Sequence, residues 1–135
     1  MQPTLIEGDN LVVEKLGPKL GILHRGDIIV FKVPEEGRQL IKRLIALEGD
    51  KVEIRDGKVY VNGDESKAGN LKDVETLPGA NPAYSSLTVP KGYVYVMGDN
   101  RPFSNDSRIL GPVEMKLVSG RAIFRFYPFS KIGVL

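Results

Sequence analysis

The stretch Lys51-Val52-Glu53-Ile54-Arg55-Asp56-Gly57-Lys58-Val59-Tyr60-Val61-Asn62 decides the fold class. Val52 and Ile54 alternate with charged residues on one side of Asp56-Gly57, and Val59 and Val61 alternate on the other. Alternation with a period of two puts the apolar side chains on one face of a strand. An Asp-Gly pair accepts the positive φ angles that a two-residue hairpin turn demands. The segment reads as two antiparallel strands joined by a tight turn.

Working outward, Leu11-Val12-Val13, Asp27 to Val33, Tyr93 to Met97 and Ala122 to Tyr127 are further runs of β-branched and aromatic residues. Gly-Asp pairs at Gly8-Asp9, Gly26-Asp27, Gly49-Asp50, Gly63-Asp64 and Gly98-Asp99 punctuate them as turns. No segment shows a long, capped helical pattern. Gln39 to Leu47 is ambiguous, since its apolar residues recur at i and i+4, as in a helix. Its length and its strand-like neighbours favour a strand, with Leu40, Lys42, Leu44 and Ala46 on one face. Residues 65–90 carry Pro78-Gly79, Asn81-Pro82 and Ser85-Ser86 and read as a loop-rich insertion containing a small hairpin or cap. The expectation is an all-β fold in a single domain spanning 1–135.

Composition narrows the function. A chain of 135 residues with 41% apolar and 27% charged residues can bury a real core. The net charge of +2 is scattered, and Lys42-Arg43 is the only adjacent basic pair, which argues against a nucleic-acid reader. With no Cys and one His, thiol catalysis and metal sites built on Cys or several His are excluded. His24, beside a Gly-Asp turn, reads as a solvent-facing turn residue. No apolar run approaches the roughly 20 residues that cross a bilayer.

Two places carry candidate chemistry. Lys42 lies between Leu40 and Leu44, and a lysine amine acts as a base only when burial lowers its pKa. The alternative is a lysine that snorkels past its apolar neighbours to water. The run Gly98-Asp99-Asn100-Arg101-Pro102-Phe103-Ser104-Asn105-Asp106-Ser107-Arg108 is dense in groups that bind backbone and one another. Arg101 and Phe103 stand where a calcium loop would need oxygen ligands, so that reading fails. A well-stapled surface loop remains open beside a functional one. Near the C-terminus, alternation puts Phe124 and Phe126 on one face as core, while Tyr127, Phe129 and Phe103 could instead rest in a bilayer interface.

Taken in order, these segments resemble the boxes of bacterial type I signal peptidases. Met1-Gln2-Pro3-Thr4-Leu5 is similar to the Ser-Met-x-Pro-Thr-Leu box, and Arg25-Gly26-Asp27-Ile28-Ile29-Val30-Phe31 to the second. Ile41-Lys42-Arg43-Leu44-Ile45-Ala46-Leu47-Glu48-Gly49-Asp50 resembles the lysine box, with Ala46 and Glu48 where Gly and Pro are common. Gly98 to Arg108 matches the last box at every fixed position, and the resemblance runs to about Phe129.

The resemblance implies a signal-peptidase-like β-fold of coiled antiparallel sheets, related to that of self-cleaving repressor proteases. It implies a serine endopeptidase that removes N-terminal signal peptides after a small-x-small motif, using a Ser/Lys dyad and no metal or cofactor. Lys42 would be the general base, with Ser104 orienting its amine and Ser107 in the same supporting loop. Asp106 would pair with Arg108, and Asp99 with Arg43. Met1, Gln2, Pro3, Leu5, Gln39, Leu40 and Ile41 would bind substrate, which adds as an extended strand beside Gln39 to Ile41. The partners implied are signal-peptide-bearing preproteins and the membrane surface, at the outer face of the cytoplasmic membrane. The family's nucleophilic Ser belongs directly before Met1, so residues 1–135 are expected to be a truncated, inactive portion. A natural pseudo-peptidase that binds without cutting is the alternative. A self-cleaving repressor fits the four boxes less well.

Overall fold

The computed structural model describes residues 10–14, 23–33, 37–69, 75–127 and 133–134. Among them, one sheet has seven strands. Its elements are β1 (Asn10–Glu14), β2 (Ile28–Val33), β3 (Arg38–Ala46), β8 (Tyr93–Met97), β9 (Val113–Glu114), β10 (Val118–Tyr127) and β11 (Gly133–Val134). The order is β1-β10-β2-β3-β8-β9, with β11 pairing β10, and these neighbours all pair antiparallel. A four-stranded sheet of β4 (Lys51–Arg55), β5 (Lys58–Val61), β6 (Asp64–Glu65) and β7 (Ser86–Thr88) has the order β6-β5-β4-β7. The α-helical structure among the described residues is one short turn, α1 (Ser107–Leu110).

The hairpin forms where the alternation calls for it. Asp56 and Gly57 take φ of 52° and 73°, the left-handed geometry that matches the twist of the flanking strands. β4 and β5 then pair in strict register from Val52↔Val61 to Arg55↔Lys58. Gln39 to Ala46 is strand, as favoured over helix, and pairs with β2 from Ile28↔Arg43 to Val33↔Arg38. Residues 65–90 supply the last residue of β6, a 3₁₀ turn at Pro82–Tyr84 and β7, which pairs with β4. The buried Tyr95 hydroxyl donates to the Tyr84 carbonyl and pins that turn down.

β8 is buried on both faces, which accounts for its unbroken apolar sequence. Val94 and Val96 enter one core with Leu23, Ile29, Phe31, Val33, Leu44 and Val113. Tyr95 and Met97 enter the other, with Ile45, Ala46, Val52, Ile54, Val59, Val61 and Val89. Full burial of an aliphatic side chain such as Ile29 or Leu44 contributes about 1.5–3 kcal/mol. The expectation that Ala46 shares a face with Lys42 and Leu44 is corrected here. The β3–β8 register shifts between Leu44↔Val96 and Ala46↔Tyr95, leaving Ile45 as an extra residue. That bulge sends Ala46 into the opposite core from Leu44.

Candidate active site

Lys42 stands opposite Ile29 of β2, on the sheet face that carries Leu40 and Leu44. Its Nζ donates to Ser104 Oγ at 3.0 Å. Burial among these apolar neighbours pushes the amine below the ordinary lysine value of 10.5; Asp106 opposes the shift, and the positive Arg108 and Arg38 reinforce it. Lys42 is therefore half-buried beside a hydroxyl, and the snorkelling alternative is not the arrangement found.

Ser104 is held in turn by the backbone. Its Oγ also accepts the Gly98 N–H at 3.1 Å. A Cβ at residue 98 would collide with Ser104 Oγ and lie 3.5 Å from Lys42 Nζ, so only glycine lets the chain pass this close. The Gly98 N–H is shared with Asp106 Oδ2 at 3.0 Å.

Asp106 caps α1 by accepting the Arg108 N–H, and its fully buried carboxylate meets the Arg108 guanidinium at 2.9 and 2.8 Å. Such two-point pairing supplies geometry as well as charge. Asp99, also fully buried, receives Arg43 Nη2 at 2.7 Å and Nε at 3.2 Å. The third Arg43 nitrogen, Nη1, donates to the Gly26 carbonyl, tying β3 to the turn before β2. Ser107 serves the site indirectly: its hydroxyl accepts the Val96 N–H of β8. Lys42, Arg43, Asp99, Ser104, Asp106 and Arg108 thus form one connected cluster, drawn from β3 and the loop after β8.

Gln39, Leu40 and Ile41 lie on the part of β3 that has β2 as its partner among the described residues, before pairing with β8 begins at Arg43. Ile41 packs on Ile28 and Ala122, whereas Leu40 packs on the core beneath Lys42. Met1, Gln2, Pro3 and Leu5 lie outside the described residues, as do Phe129 and the side chains of Phe124, Phe126 and Tyr127. Phe103 is 85% exposed, on the loop that carries Ser104. His24 is exposed, away from this cluster's hydrogen bonds. No helix among the described residues is long and apolar enough to cross a membrane.

Sequence reasoning assigned no role to Arg101 or Thr76. Arg101 is buried, with Nε on the Gly98 carbonyl, Nη1 on Thr76 Oγ1 and Nη2 on the Ala68 carbonyl, at 2.8, 2.9 and 2.7 Å. Its position inside the last box was the available signal; its partners, 25 and 33 residues away, left none.

Known proteins share this arrangement of segments. A family profile described as "Signal peptidase, peptidase S26" matches residues 1–127. Signal peptidase IB of Staphylococcus aureus (strain Mu50) is 39% identical over 97% of this chain and 75% of its own length. A probable signal peptidase I-1 of Synechocystis is 41% identical over 100% of this chain and 70% of its own. The crystal structure of a signal peptidase I from Enterococcus faecalis V583 superposes with a TM-score of 0.59 at 37% identity, covering 73% of this chain and 95% of that one. With a profile that spans both the lysine strand and the loop that holds it, the chain belongs to the signal peptidase family, peptidase S26.

Proposed function

We propose that this chain is the catalytic region of a serine endopeptidase that cuts N-terminal signal peptides from exported preproteins after a small-x-small motif. The observation that carries the reading is the half-buried Lys42 amine, with its lowered pKa and its 3.0 Å bond to Ser104. A neutral amine can take the proton of a serine hydroxyl as its Oγ attacks the scissile carbonyl, then return it to the leaving amine. Water completes the cycle by hydrolysing the acyl-serine, with Lys42 again as base. Ser104 turns the amine's lone pair towards the nucleophile, and Asp106–Arg108 and Asp99–Arg43 hold Ser104 and Lys42 in register. This chemistry calls for no metal or cofactor. In the pattern the chain resembles, the nucleophilic serine directly precedes the residue matching Met1, and the part proposed for residues 1–135 is the base and its support.

The substrate adds as a strand along Gln39, Leu40 and Ile41, where β3 has an open edge among the described residues. Met1, Gln2, Pro3 and Leu5 complete the pocket and the turn presenting the serine. The enzyme works at the outer face of the cytoplasmic membrane, and the exposed Phe103 beside the site supports contact with the bilayer.

The test is preprotein cleavage in detergent by residues 1–135 and by a protein with a serine-bearing upstream segment before Met1, with Lys42→Ala as the blank. Cleavage by the longer protein alone, after a small-x-small motif, is the expected result. Cleavage by residues 1–135 would move the nucleophile to Ser104 or Ser107. Binding of signal peptide without cleavage by either would favour a pseudo-peptidase.

A further inference from the structure

The loop-rich segment reaches the dyad through the buried Arg101 guanidinium. Thr76 is fully buried, its N–H donates to the Gly57 carbonyl at the tip of the β4–β5 hairpin, and its Oγ1 accepts Arg101 Nη1. Arg101 Nη2 reaches the Ala68 carbonyl, and Nε reaches the Gly98 carbonyl. Gly98 is the residue whose N–H holds Ser104 Oγ, and Ser104 holds Lys42. Thr76, Arg101, Gly98, Ser104 and Lys42 form one unbroken chain of hydrogen bonds of 2.8 to 3.1 Å.

Two close approaches reinforce it. A Cβ on Gly69 would strike the Asp99 carboxylate, and one on Gly79 would strike the Arg108 carbonyl. The Leu77 carbonyl accepts Arg108 Nη1. Ala68, Gly69, Thr76, Leu77 and Gly79 therefore touch the loop after β8 at Asp99, Arg101 and Arg108, and each of the three side chains is buried.

We infer that Thr76 is a positioning residue for the Lys42–Ser104 pair, transmitting the placement of the β4–β5 hairpin to the dyad through Arg101. The inference rests on the proposed role of Lys42 as base. A buried cation whose fork is filled by three neutral oxygens has little slack. Removing one acceptor leaves a charged N–H unsatisfied, so the guanidinium shifts towards another partner or admits water. Either response moves the Gly98 carbonyl, and with it the N–H that fixes Ser104.

The experiment uses the form with the serine before Met1, comparing Thr76→Val, Thr76→Ser and Lys42→Ala by steady-state preprotein cleavage across pH. Thr76→Val keeps the shape and loses the oxygen; it should lower kcat roughly tenfold with KM little changed. The acid limb of its profile should move to higher pH, because a Lys42 less shielded from water regains part of its ordinary basicity. Thr76→Ser should restore both. If Thr76→Val fails to fold, Thr76→Ala takes its place. A kcat and acid limb unchanged from the parent, with only the melting temperature lowered, would overturn the inference and leave Thr76 a packing residue. Undiminished cleavage by Lys42→Ala would instead sink the assignment of the base, a result distinct from failure of the latch.

Discussion

The two halves of β3 are built from similar residues and live under opposite constraints. From Arg38 to Ile41 the strand has β2 as its neighbour among the described residues, and its side chains are exposed or partly buried. From Arg43 to Ala46 it gains β8 on the other edge, and Leu44, Ile45 and Ala46 are fully buried. Lys42 stands at the boundary. A base deeper in the strand would lose sight of any substrate, and one nearer Arg38 would stay hydrated, protonated and useless at neutral pH. For the base proposed, the contrast teaches that lowered basicity and an open edge are both obtained where pairing on the second edge begins.

The largest effect that would break this comparison is chemical. In the form with the serine before Met1, Lys42→Ala should lower preprotein cleavage by at least about 10³-fold, because nucleophile and base act as one unit. A rate near that of the parent would place the base elsewhere. Next comes stability, which should separate the halves. Leu44→Ala, on the closed half, opens a cavity in the core and should cost about 2–5 kcal/mol by chemical denaturation. Gln39→Ala, on the open half, should fall within about 0.5 kcal/mol of the parent. Equal losses would erase the distinction.

A smaller effect sharpens it. Amide hydrogen exchange should be faster at Gln39 to Ile41 than at Leu44 to Ala46, and a non-cleavable signal peptide should slow the first set selectively. Uniform exchange along β3, with or without peptide, would argue against strand addition there. The smallest concerns Lys42 itself. Its folded pKa lies below 10.5, so the unfolded chain binds more protons between the two values and stability rises with pH across that window. Lys42→Met should therefore be more stable than the parent by about 1 kcal/mol near neutral pH, at the expense of activity. Denaturation midpoints should show that advantage shrinking as pH climbs towards 10.5.

Much of this was legible beforehand, for identifiable reasons. Alternation in 51–62 and an Asp-Gly turn leave little freedom, and β4 and β5 pair in the register the sequence implies. The fold class follows from such runs, and the matched family agrees with it. Family resemblance implies both ion pairs, and for Asp99 with Arg43 it is the available signal, since no spacing rule joins residues 56 positions apart; Asp106 and Arg108 stand two apart in one run. Illegible were the events that depend on geometry between segments. The extra residue at Ile45 breaks no sequence rule, because apolar residues flank it on both sides. Arg101 meets Thr76 and the Ala68 carbonyl across 25 and 33 residues, and backbone carbonyls leave no trace in a sequence. The contributions proposed for Met1, Gln2, Pro3 and Leu5 fall outside the described residues.

The extra residue at Ile45 has a consequence for how the chain tolerates change. A strand ordinarily commits every side chain at once, since a slip of one position exchanges all inward and outward residues. Here the commitment is split at a single joint. The residues before it answer to whatever lies along Gln39 to Ile41, and those after it answer to the four-stranded sheet through Ala46 and Tyr95. Substitutions that retune the first part need no matching revision in the second. The same joint makes length unforgiving: deleting Ile45 would remove the bulge and take a fully buried side chain out of the core it shares with Ala46. What the proposed binding edge recognises can therefore change while the spacing from the lysine to the buried half stays fixed.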